Sequence, residues 1–448
     1  MSGPADRRTL ALVDGEHHPS VMRDAIIEAG TRGYAVVAAV IIGGTEKITA
    51  GTLPDLGVPL LAPRGSPAAA LAEALADVEP EVVLDLSDEP VLSPGARMAC
   101  AAEALARDVC YEAPGARFSP PRRDLPPPGL ACLAVTGVGK RIGKTAVSVA
   151  IARRASVRGL DPVVVAMGRG GPAEPEVADP LALDMDALLA LAAAGRHAAS
   201  DHLEIALTAG VVAIGARRAG GGPAGEPFAD TVAEALALAS SREPGLAILD
   251  GSGAAAPPIR AHAEVLVVPA LHEWRRFEET LDRMRLLRAD IAVVTLGDGP
   301  VPGSEDLTHL LELLRDASGE ANVVATRTEP EAMGDVRGKD AFFLTTAHPD
   351  AAAHQAAALE GSTGCRIVGW SARLADRAGL AVDLDAAPGY DVILTELKAA
   401  AVDVAAATAR ARGAEVVLVA NRMTGNEGDL EALLDRVTDL ARDRAMDI

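Results

Sequence analysis

The sequence predicts an α/β protein in two parts, an N-terminal parallel α/β domain and a larger second domain with a mostly parallel sheet. Three observations lead there. Short apolar runs alternate with helical segments along the chain, the pattern of strands buried on both faces of a parallel sheet. A proline-rich stretch, SPPRRDLPPPG (119–129), interrupts that alternation and reads as a semi-rigid linker. One segment, VTGVGKRIGKTAVS (135–148), places Gly-Lys-Thr between an apolar strand and an apolar-periodic helix. That order of strand, glycine loop and helix makes the second part a phosphate-loop NTPase domain, in which backbone N–H groups cradle phosphates.

In the first domain, 1–125, TLALVDG (9–15), YAVVAAVIIGG (34–44) and EVVLDLSD (81–88) read as strands. PSVMRDAIIEAG (19–30) and SPAAALAEALADV (66–78) read as helices between them. The three loops that follow these strands emerge at one sheet edge, where open α/β sheets bind ligands. They carry His17, Lys47 and Asp88. The second domain, 129–448, continues with strands in DPVVVAMG, GLAILDGSG, AEVLVVPA, IAVVTLGDG, NVVATR, AFFLTTAH, YDVILTEL and AEVVLVANR. A chain of 448 residues exceeds the usual size of one core, which agrees with this division.

Composition narrows the function. The formal net charge is −21 with no basic stripe, which argues against a nucleic-acid partner. No apolar run reaches the ~18 residues of a membrane span, and acidic residues interrupt any signal-peptide core near the N-terminus. Cys100, Cys110, Cys132 and Cys365 form no CxxC or Cys/His pattern, so a reduced, cytoplasmic protein is expected.

Lysine usage points to the chemistry. Of 42 basic residues only five are lysines, and Lys140 and Lys144 both lie in the phosphate loop. A retained lysine in an arginine-rich chain suits a compact ammonium tucked under a phosphate. The loop reads G-x-G-K-R-x-G-K-T, with Gly137 and Gly139 flanking Val138 where the strict pattern has a single glycine. Gly137, Gly139, Lys140, Arg141, Gly143, Lys144 and Thr145 are therefore expected to bind a nucleoside triphosphate. Lys144 would bridge the β- and γ-phosphates and Thr145 would hold Mg²⁺. Asp250, at the end of the apolar strand in AILDGSG, is the expected second Mg²⁺ group. Lys140, Lys144 and Asp250 are the catalytic candidates.

Other residues suit an anionic substrate. Arg169 follows the strand VVVAMG, and Arg217–Arg218 precede a glycine run that reads as a mobile anion-binding loop. Lys398 and Glu396 sit in VILTELKAAAVDVA, and Asn421 ends the strand VVLVAN. Helical spacing would bring His197 and Asp201 onto one face but leaves His202 off it, which argues against a metal site there.

The extended loop resembles that of dethiobiotin-synthetase-like ATPases, and Asn421 resembles their adenine-reading position. Taken with LVDGEHHPSV, GGTEK, LDLSDEPV, AMGRGGPAEPE, HAASDHLEIAL, ARRAGGGPAG, DGSGAAAPP and ELKAAAVDVA, the chain resembles the cyclic 2,3-diphosphoglycerate synthetase family from about residue 10 to residue 422. Asp250 stands where a glutamate is expected in such a motif. The resemblance implies ATP-dependent closure of a phosphoglycerate to a cyclic pyrophosphate, Mg²⁺ as cofactor and a homodimer. His17, Lys47, Asp88, Arg169, Arg217, Arg218 and Lys398 would hold the substrate. A kinase of 2-phosphoglycerate, or a non-enzymatic nucleotide-switch ATPase, would use the same loop.

Overall fold

Each apolar run of the first domain becomes a parallel strand. The computed structural model describes residues 7–44, 53–62, 65–296, 305–397, 401–427 and 429–447, and its contacts divide the chain into two units. In the first unit the strand order is Leu60–Leu61, Tyr34–Ile41, Arg7–Val13, Val82–Asp85, Cys110–Ala113 and Ala116–Phe118. All neighbours are parallel except the last pair. The helices Pro67–Val78 and Pro94–Ala106 begin where serine can cap them, with proline in the first turn. Ser66 Oγ accepts from Ala69 N and Ser93 Oγ from Ala96 N, each at 3.3 Å. Leu71, Leu105 and Tyr111 fill the core beneath them.

The contact units differ from the expected division into 1–125 and 129–448 by two segments. Residues Gly222–Glu226 and His272–Arg288 also belong to the first unit. The reason is packing: Leu281 and Met284 enter the same apolar cluster as Leu105 and Tyr111. Arg283 clamps the buried Glu103 carboxylate with Nε at 2.8 Å and Nη2 at 2.6 Å. The proline-rich stretch is held as well, since Asp124 exchanges backbone hydrogen bonds with Pro258 and Arg260.

The second unit carries a 13-stranded sheet among the described residues. The phosphate-loop strand Cys132–Gly137 lies at its centre, fully buried, between Leu246–Asp250 and Ala263–Pro269. Beyond Leu246–Asp250 come Pro162–Gly168 and Ala213–Ala219. On the other side follow Ile291–Thr295, Val323–Ala332, Glu415–Glu427, Val392–Thr395, Asp340–Leu344 and Arg366–Ser371. Val323–Ala332 and Glu415–Glu427 pair antiparallel, and the strands beyond them are parallel again.

The strand Ala213–Ala219 replaces part of what reads as a mobile loop in the sequence. Gly215 disguises it. A Cβ there would lie 2.6 Å from the ring of the buried His202, so this glycine answers a packing demand inside a strand. No helix among the described residues is long and apolar enough to cross a membrane.

Candidate active site

The phosphate loop joins the strand Cys132–Gly137 to the helix Lys144–Val157. Its shape depends on two glycines. A Cβ on Gly137 would lie 2.6 Å from Ile142 Cδ1 and 3.0 Å from the Val267 carbonyl oxygen. Gly143 takes φ +90°, a left-handed conformation that starts the helix at Lys144. The helix N-terminus then opens onto a cavity of about 760 Å³.

Lys144 is buried in the loop, and its Nζ donates to the Gly139 carbonyl at 2.6 Å. Asp250 is positioned by sheet register, opposite Val135 on the neighbouring strand. Thr145 Oγ1 donates to one carboxylate oxygen of Asp250 at 3.2 Å and Ser148 Oγ to the other at 2.8 Å. Burial, aided by the negative charge of Asp201, pushes the Asp250 carboxyl up to about 7. Burial also pulls Lys144 below its usual value. Asp250 opposes that shift, while Arg169 and Arg218 add to it. A hydroxyl and a carboxylate 3.2 Å apart are hard oxygen donors of the kind Mg²⁺ takes when phosphate oxygens and water complete its shell. The residues present therefore fit that ion.

Arg169 and Arg218 converge beside this pair. Both guanidinium groups close over Gly253, where a Cβ would lie 2.7 Å from Arg169 Nη2 and 3.2 Å from Arg218 Nη2. Arg218 is buried and donates to Gly220 O at 2.6 Å and Ser252 O at 2.7 Å. Its Nε has no hydrogen-bond partner among the described residues. Burial and the neighbouring Arg169 charge pull Arg218 below its usual value. Strand alternation sends Arg217 the other way: it is exposed and its Nε donates to Pro172 O at 2.9 Å. The expected arginine pair is thus split, and Arg217 does not border the cavity.

Lys140, Arg141, Arg169 and Asn421 all line the cavity with Lys144, Thr145 and Asp250. Lys47 and Lys398 lie outside the described residues. His17 and Asp88 come together within the first unit. Asp14, buried at the end of the strand Arg7–Val13, accepts from the N–H groups of His17 and Asp88, each at 3.0 Å, and contacts His17 Nδ1 at 2.8 Å. His17 Nε2 lies 3.3 Å from Asp88 Oδ2. Burial works against the Asp14 charge, but the donors from Asp88 and His17 hold its carboxyl below the usual range.

Several cavity residues gave no signal of this role in the sequence. Asp201 and Glu204 reach it from the helix Asp201–Ala209, and Thr346 and Gln355 from far along the chain, where they join Glu396 of VILTELKAAAVDVA. The fragment HAASDHLEIAL held the only hint of the first two.

Comparison with known proteins covers most of the chain. Three family models match in order: the N-terminal domain of cyclic 2,3-diphosphoglycerate synthetase at 8–119, its P-loop domain at 132–327 and its C-terminal domain at 332–422. A protein of that name from Rubrobacter xylanophilus is 40% identical over 417 residues, 92% of this chain and 93% of its own length. The Thermococcus gammatolerans protein of the same name is 41% identical over 429 residues, 94% of each chain. That from Methanothermobacter thermautotrophicus is 35% identical over 446 residues, 97% of this chain and 96% of its own.

Proposed function

The chain belongs to the cyclic 2,3-diphosphoglycerate synthetase family, and we propose that it uses ATP to close 2,3-diphosphoglycerate into its cyclic pyrophosphate, releasing ADP and phosphate. The observation that carries this reading is the meeting of a complete phosphate loop with Arg169 at one cavity, backed by the buried Arg218. A phosphate monoester is a poor electrophile. One substrate phosphate oxygen first attacks the γ-phosphorus of ATP and ADP leaves. An oxygen of the second substrate phosphate then attacks the activated substrate phosphorus, the ring P–O–P bond forms, and the former γ-phosphate departs.

Lys144 and the helix N-terminus stabilise charge on the β,γ-bridge as it breaks. Lys140 and Arg141, exposed at the loop crest, add positive charge over the transferring group. Arg169 grips the substrate phosphates, while Arg218 holds the Ser252–Gly253 turn that faces them. Thr145 and Asp250 would hold Mg²⁺, which neutralises phosphate charge when bound. No nucleophilic side chain is required, because positioning supplies most of the rate. Asn421 would read the adenine. Incubation with Mg-ATP and 2,3-diphosphoglycerate, followed by ³¹P NMR, should show a cyclic pyrophosphate. A linear phosphoanhydride as the sole product would make the protein a kinase.

The split of the two arginines gives a sharper test. Arg169→Ala is expected to raise KM for the phosphoglycerate about tenfold or more, the loss of a charge-assisted contact. Arg217→Ala should leave that KM nearly unchanged, although both residues read alike in the sequence. Equal effects of the two substitutions would contradict the assignment.

The first unit also takes part in this reading, with His17 and Asp88 helping to position the substrate. Deleting residues 1–129 is a poor test, because Leu281 and Met284 would lose the core they pack into. In the full chain, His17→Ala should raise KM for the phosphoglycerate and leave the nucleotide Kd unchanged; an unaltered KM would remove His17 from the site. A cytoplasmic homodimer completes the proposal. The four cysteines are free, which suits a reducing compartment.

A further inference from the structure

Among the described residues, the cavity wall built by the last third of the chain is polar, with one carboxylate, Glu396, and no basic side chain, whereas the phosphate-loop side carries Lys140, Arg141, Lys144 and Arg169. Glu396 follows the strand Val392–Thr395 and lines the cavity while only 8% exposed. Its Oε1 lies 2.7 Å from Thr345 Oγ1, and its Oε2 accepts from Thr346 Oγ1 at 2.9 Å. Gln355 Oε1 stands 3.1 Å from the same Thr345 hydroxyl. This wall is tied to the phosphate-loop side by packing. Leu397, the next residue, enters the same apolar cluster as Val147 and Val149 of the phosphate-loop helix.

Charge and donor count select what such a carboxylate can face. The triphosphate of ATP and the phosphates and carboxylate of 2,3-diphosphoglycerate are anions, which Glu396 repels. Both hydroxyls of the glycerate are esterified in that substrate, so it offers no O–H donor of its own besides phosphate protons. The nucleoside is the uncharged part of the two ligands, and its ribose presents two adjacent O–H groups. A carboxylate has two oxygens, each able to accept two bonds, and matches that diol in the way dinucleotide folds use an acidic residue.

We infer that Glu396, braced by Thr345 and Thr346, binds the 2′,3′-diol of the ATP ribose and fixes the nucleoside end of a ligand whose phosphates lie at Lys144. The assignment rests on the reading of this cavity as the ATP site. It also gives the C-terminal segment a defined task, since that segment supplies the acceptor and its supporting hydroxyls.

The test compares ATP with 2′-deoxy-ATP and 3′-deoxy-ATP on the full-length protein, reading nucleotide Kd by titration and KM with phosphoglycerate in excess. The wild-type protein should bind each deoxy analogue about tenfold more weakly, because a hydrogen bond to a charged acceptor is lost. In Glu396→Gln, ATP should weaken by a similar factor and the deoxy analogues should barely change, so the discrimination collapses. KM for the phosphoglycerate should stay as it was. Equal binding of all three nucleotides by the wild-type protein overturns the proposal, and that arm requires no variant to fold. Equal weakening of all three by Glu396→Gln overturns it too, as does a Glu396-dependent preference for ATP over inosine triphosphate with the deoxy analogues tolerated. Cyclic product formed from ATP in any of these outcomes leaves the proposed reaction standing. Its absence refutes that reaction while the binding comparison still decides the role of Glu396.

Discussion

Lys144→Ala is expected to lower turnover about 10²–10³-fold, the scale seen when one preorganised donor to a developing charge is removed. The backbone of the loop that holds Lys144 is set by Gly137 and Gly143, and the alanine variant loses one contact, Nζ to the Gly139 carbonyl, so the fold should survive. Circular dichroism and a thermal melt should match the wild-type protein while ATP-dependent product formation is lost. Lys144→Arg should be no better. Nζ donates to the Gly139 carbonyl at 2.6 Å, and a planar guanidinium cannot reproduce this compact point-charge contact. Wild-type turnover in either variant would falsify the phosphate-loop assignment.

Asp250→Asn is expected to separate activity from stability. Turnover should fall about 10–100-fold, as for a group that orients or holds a catalytic ion. Stability of the ligand-free protein should move the other way. Burial raises the folded-state value of Asp250 to about 7 from an unfolded value of 3.8. Between those values the folded state binds the proton more tightly than the unfolded state does. The contribution of this group is therefore fully present below pH 3.8 and is lost as pH rises through 7. Asparagine does not titrate, so the variant's advantage in Tm should grow from pH 5 to pH 8 in Mg²⁺-free, nucleotide-free buffer. A Tm difference independent of pH would show that Asp250 is not held protonated by its surroundings.

The residues that carry these two predictions were legible because their signals are local. Gly137 to Thr145 are contiguous, and a strand, a tight loop and a helix in that order can cradle phosphate whatever lies elsewhere. Asp250 closes an apolar run, and a parallel strand beside the loop strand puts its end at the same edge. The arginines were less legible. Arg217 and Arg218 are adjacent in sequence, and only a strand at that position sends one outward and the other into the protein. Inside that strand Gly215 leaves room for the ring of His202, a contact that only the folded chain shows.

From the sequence alone came most of the strands and helices, a linker at the proline-rich stretch 119–129, the phosphate loop with its lysines, and the resemblance that the family matches bear out. Apolar periodicity and contiguous motifs are properties of the chain itself, so they survive without coordinates. Tertiary structure decided what lies far apart in sequence and close in space. It drew the helices within His272–Arg288 into the first unit, because their apolar faces fit the Leu105–Tyr111 core. It also brought Asp201, Glu204, Thr346 and Glu396 to the cavity that Lys144 opens. Such meetings depend on how the sheet is ordered and how its helices pack, and no local spacing encodes them.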